Sequence, residues 1–77
     1  MNIHEHDAVV LTRELPEYKL HVGDVGAVVH VYRDGQAFEV EFTNGAGETL
    51  ALETLDANAV RPLNAGDILH IRNVAAA

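Results

Sequence analysis

Cysteine, serine and tryptophan are absent from this 77-residue chain, and basic residues are few. With no cysteine there is neither a disulfide framework nor a thiolate zinc site. With no serine either, the hydroxyl nucleophiles left are Thr12, Thr43, Thr49 and Thr54 besides the two tyrosines, and no catalytic arrangement can be assembled around them. Gly23-Asp24-Val25-Gly26 lacks both the lysine and the following helix of a phosphate-binding loop. No enzymatic activity and no cofactor are expected. Five Lys and Arg stand against twelve Asp and Glu, a formal charge of −7 that repels nucleic acid phosphates and anionic lipid. The partner to expect is another protein, basic or neutral, and neither a nucleic acid nor a membrane. No apolar run approaches the roughly 20 residues that cross a bilayer, and Met1 to Asp7 has neither a basic start nor an apolar stretch, so a cytoplasmic protein is expected.

A chain this short holds one domain, and a domain of this size hides only about 60% of the surface its unfolded chain exposes. Its core alone supplies a few kcal/mol at most. A homo-oligomer would make good the missing staples. Residues 1–6 read as a flexible tail, residues 7–74 as one domain and residues 75–77 as a frayed terminus.

Alternation of apolar and polar residues marks strands. Asp7 to Thr12 can place Val9 and Leu11 on one face of a first strand. Arg13 to Val22, interrupted by Pro16, reads as a long loop anchored by Leu15, Tyr18 and Leu20, and Gly23-Asp24-Val25-Gly26 as a tight bend. Ala27–Tyr32 and Ala37–Phe42 flank Asp34-Gly35, a strong hairpin signal. That register sets Val31 against Phe38, His30 against Glu39 and Val29 against Val40, so apolar meets apolar. A five-residue loop, 44–48, with a glycine at positive φ, sets Phe42 against Leu50 and Val40 against Leu52 in a fourth strand, Thr49–Glu53. Residues 55–59 suggest a 3-10 turn, Val60–Leu63 an edge strand confined by Pro62, and Asp67–Val74 a sixth strand with apolar groups on both faces. Five to six short antiparallel strands without a long amphipathic helix make an all-β chain whose bent sheet closes into a small barrel.

Candidate sites are few. His4 and His6 are weak metal candidates beside Glu5 and Asp7, although a fixed zinc site wants three or four protein ligands and a solvated terminus is the simpler reading. His30 opposite Glu39 could form a pH-responsive pair, or an ordinary exposed cross-strand pair worth about 0.2–1 kcal/mol. His21 and His70 have no partner visible in the sequence. Glu39, Glu41 and Glu53 read as one acidic face, and Tyr18 as a contact residue beside it, since tyrosine is enriched at binding hot spots. Tyr32 reads equally as a ring closing the barrel end.

The stretch from Leu20 to Tyr32, the strand Phe38-Glu39-Val40-Glu41-Phe42, Thr54-Leu55 and Val60-Arg61-Pro62-Leu63 resemble a bacterial family, domain of unknown function 4926. The likeness runs from Asp7-Ala8-Val9-Val10-Leu11-Thr12 onward. It implies an SH3-like barrel and no established activity or catalytic residue. Gly-Asp-Val-Gly-Ala-Val-Val is also similar to the KOW motif and to the start of other SH3-like barrels, such as a small photosystem I subunit; the RNA contact that the motif implies is opposed by the charge. Family members beside toxin-like domains imply an antitoxin or immunity role. The function expected is therefore a non-catalytic protein-interaction module, with neutralisation of a basic toxin as the first alternative and weak metal binding through His4 and His6 as the second.

Overall fold

The computed structural model describes residues 2–74, and the frayed terminus expected at 75–77 lies outside the described residues. Five strands, β1 (Ala8–Leu11), β2 (Val25–Tyr32), β3 (Ala37–Thr43), β4 (Thr49–Asp56) and β5 (Val60–Pro62), form one antiparallel sheet in the order β4-β3-β2-β1-β5. Three 3-10 turns, at Pro16–Tyr18, Arg33–Gly35 and Ala57–Ala59, link them. The fold is all-β and barrel-like, as expected. No helix among the described residues is long and apolar enough to cross a membrane.

One face of the sheet carries the core. Val9, Leu11, Val28, Phe38, Val40, Phe42, Leu55 and Val60 turn inward and are at most 2% exposed. Leu15 and Leu20 bridge to each other across the Pro16–Tyr18 turn and join this core, which is why the long loop after β1 lies flat on it. Gly26 stands on the inner face of β2, where a Cβ would come within 2.6 Å of Val40 Cγ1 and 2.8 Å of Phe42 Cε1. Close approach of two strands, rather than a special backbone angle, requires glycine there.

Residues 2–6, expected as part of a tail, pack against the barrel. Ile3 is 6% exposed within the core, and the His6 N–H donates to the Val28 carbonyl at 2.7 Å. A local turn explains the path, because the Asp7 carboxylate accepts the His4 N–H at 2.9 Å while the Asp7 N–H returns to the His4 carbonyl.

The first hairpin keeps the expected pairs His30–Glu39 and Val31–Phe38 around a four-residue connection, in which Arg33, Asp34 and Gly35 all take positive φ. Beyond it the register departs from expectation. A bulge between Val28 and His30 sets Val28, and not Val29, against Val40, so Val29 turns outward at 39% exposure. The second hairpin has the expected 44–48 loop, with Gly47 at φ 81 and the Asn44 side chain accepting the Ala46 and Glu48 N–H groups. A second bulge, at Leu50, then pairs Phe42 with Ala51 and Val40 with Glu53, and the expected Phe42–Leu50 and Val40–Leu52 pairs do not form. Leu52 faces out at 51% exposure.

The expected sixth strand is absent among the described residues. Residues 63–74 form an irregular strap with Ile68, Leu69 and Ile71 at 91%, 66% and 92% exposure. Two ion pairs fix its path: Arg61 grips Asp67 at 2.8 Å, and Arg72 grips Asp24 and the Lys19 carbonyl. Held at the barrel end by these charges, the segment builds no ladder among the described residues.

Candidate protein-interaction face

The bulge at Leu50 decides which acidic residues stand together. Side chains alternate across a strand, so a slip of one residue carries each to the other face. Glu53, expected beside Glu39 and Glu41, is thereby turned inward opposite Val40. There the Tyr18 hydroxyl donates to its Oε2 at 2.6 Å, tying the Pro16–Tyr18 turn to the far edge strand. The carboxylate accepting this proton raises the Tyr18 hydroxyl above its ordinary pKa. Tyr18 and Glu53 thus meet each other and close the barrel wall.

Glu39 and Glu41 remain on the outer face of β3, half-buried and two residues apart. Thr54 on β4 and Tyr32 on β2 both donate hydroxyls to Glu39 Oε1, at 2.5 and 3.4 Å. Thr49 donates to Glu41 at 2.6 Å. These bonds hold the two carboxylates in place while leaving their charge to the solvent. Around them stand exposed apolar groups, Leu52 directly across from Glu41, Val29 on the bulge, and Tyr32, whose ring meets the His30 imidazole edge-on at 4.4 Å. His30 lies opposite Glu39 in the ladder, but its Nδ1 turns to Glu5, 3.7 Å away.

The other histidines are dispersed. His4 faces Asp7 at 3.7 Å, and His21 meets Glu14 at 2.5 Å. The Val22 N–H and then His21 hold the Glu14 carboxyl below its usual value. His4 and His6 do not converge with further donors, and no group of three or more His, Asp or Glu side chains among the described residues could hold a metal. His70 lines a groove of about 790 Å³ between the strap and residues 43–46, floored by Leu20, Phe42 and Leu50.

Sequence reasoning missed Val29, Leu52 and Thr54 as members of the outer face. A signal was present: Val28-Val29 and Leu50-Ala51-Leu52 put adjacent apolar residues where strict alternation allows one in two, which is how a bulge is written. Neither the curated proteins nor the solved structures yield a match to this chain. Residues 5–62, spanning all five strands, match the family model described as Domain of unknown function (DUF4926), and the chain belongs to that family.

Proposed function

We propose that this chain is a non-catalytic protein-interaction module whose outer sheet face receives a basic partner. The observation that carries the reading is the grouping on one face of two fixed carboxylates, Glu39 and Glu41, with Tyr32, Val29 and Leu52 exposed around them. Interfaces of this kind combine apolar anchors with charges that select and orient the partner. A chain carrying −7 adds long-range attraction for a cationic surface. Tyr18 and Glu53, spent on each other, contribute to the wall and not to the contact. Neutralisation of a basic toxin is the narrower form of the same reading, supported by the same charge.

The test is capture of native partners by the full chain, compared with the double variant Glu39→Lys/Glu41→Lys. A control pair, Glu14→Lys/Glu17→Lys, changes the net charge equally away from this face. Loss of a partner with the first pair and retention with the second supports the reading. Equal loss with both, or no reproducible partner, sinks it.

A further inference from the structure

We infer that the strap of one copy of this chain adds to the free edge of β4 in a second copy, giving a two-fold dimer. Among the described residues β4 has β3 on one side and no strand on the other, so an eight-residue edge of backbone N–H and C=O groups lacks a strand partner. Exposed edges of this length pair readily with another extended segment unless something covers them. The strap contains such a segment. Ile68-Leu69-His70-Ile71 is β-branched, aliphatic and extended enough to cover roughly 13 Å of an edge. Ile68 and Ile71 lie almost wholly in water and Leu69 is two-thirds exposed, in a molecule whose other large aliphatics are mostly covered.

The same chain does not supply the partner. Arg61–Asp67 and Arg72–Asp24 fix the strap at both ends, and the groove of about 790 Å³ separates it from Leu50 and the 43–46 loop. A second copy reaches β4 from outside without breaking either ion pair. Charge selects the same arrangement. Two chains of −7 repel least where a surface without uncompensated negative charge meets an acidic one. Residues 68–74 hold no acidic side chain, and the two aspartates that anchor them, Asp24 and Asp67, are each paired with an arginine, so the strap brings no uncompensated negative charge, whereas Glu48 and Asp56 stand exposed at the two ends of β4. Leu52, at 51% exposure, gives one of the arriving isoleucines an apolar seat, since Ile68 and Ile71 fall on opposite faces of an added strand. Each copy would donate one strap and receive one, so the contact is isologous and closes with both edges covered. The strap lies beyond the residues matched by the family, and the contact shares Leu52 with the acidic face while requiring neither Glu39 nor Glu41.

Sedimentation equilibrium of the full chain over a wide concentration range tests the inference. Wild type is expected to dimerise, and Ile68→Lys/Ile71→Lys to raise the dimer dissociation constant by about tenfold or more for each side chain. Both side chains are over nine-tenths exposed in the single chain, so circular dichroism and the monomer's thermal midpoint should not move. Leu52→Lys should weaken the dimer from the receiving side. An equimolar mixture of the Leu52→Lys chain and the double variant keeps one intact strap-to-edge contact, and should associate more tightly than either alone. A wild type that is monomeric at every concentration overturns the inference. So does a dimer indifferent to the strap substitutions, a mixture no tighter than its components, or a strap that is protected only when a different protein is added.

Discussion

The barrel and the strap are made of the same kinds of side chain and meet opposite fates. Val9, Val28 and Val40 are wholly buried, while Ile68 and Ile71 are over nine-tenths exposed. Hydrophobicity does not separate them. What separates them is whether the backbone has a ladder beside it: β1, β2 and β3 each have two strand neighbours, whereas the strap has two arginine–aspartate pairs and none. In these two segments, apolar residues are buried where backbone pairing brings a second apolar face within reach, and left wet where charges alone hold the chain.

The largest effect that would break the comparison is at Phe38, packed at 1% exposure against the layer formed by Leu55 and Val31. Phe38→Ala is expected to cost about 3–5 kcal/mol, as much as a domain of this size holds in total. Urea titration followed by circular dichroism should find that chain largely unfolded before denaturant is added. At concentrations where the chain is monomeric, Ile71→Ala, removing a comparable apolar group from the strap, should shift the curve by no more than about 0.5 kcal/mol. Similar losses for both would mean that the strap is part of the core.

Glycine sharpens the same contrast at smaller scale. A methyl group at Gly26 would sit 2.6 Å from Val40, 2.8 Å from Phe42 and 3.0 Å from the Glu41 carbonyl, and neither aromatic ring nor backbone can step aside freely. Gly26→Ala is expected to destabilise by about 1–3 kcal/mol through overpacking. In the strap, Gly66 has open space around its Cα and no positive φ, so Gly66→Ala should be neutral or slightly stabilising through the unfolded chain. Thermal denaturation of the two variants side by side decides it, and a neutral Gly26→Ala would mean that β2 and β3 approach less closely than described.

The asymmetry also explains what could be read in advance. The hairpin at Asp34-Gly35 was legible down to individual pairs near its turn, because turn chemistry and alternation agree at His30–Glu39 and Val31–Phe38. Farther out, two bulges each absorbed one residue, and pairing by count then assigned Val29 and Leu52 to the core and Glu53 to the surface. The acidic face suffered accordingly. Glu39 and Glu41 lie where β3's own alternation puts them, but Glu53 depends on the register of a second strand and was carried inside to Tyr18. The strap failed for a different reason. Its sequence has every local mark of a strand, and no local pattern states that a segment will find no neighbour.

The smallest effect tests how the strap is held. Burial pushes the Asp24 carboxyl up, but bonds from Arg72 and from the His21 N–H outweigh it and leave the group below its ordinary value of 3.8. Asp67 is held down by Arg61 and by the Asn64 N–H. A carboxyl whose folded pKa is depressed contributes stability that is fully present above its unfolded value, and loses it as the pH falls through the folded one. The strap should therefore undock below about pH 4, where Asp24 and Asp67 take up protons. The core among the described residues buries no charged or polar side chain, so no buried carboxylate couples the packing of the barrel to that window. Amide chemical shifts of Ile68 to Ile71 are expected to move in that window while the methyl resonances of the wholly buried Val9 and Val28 stay in place. Asp24→Asn should loosen the strap at neutral pH, with little change in the thermal midpoint. If the strap amides and the core methyl groups instead respond together, the ion pairs are integral to the barrel, and the distinction between a ladder-held body and a charge-held strap fails.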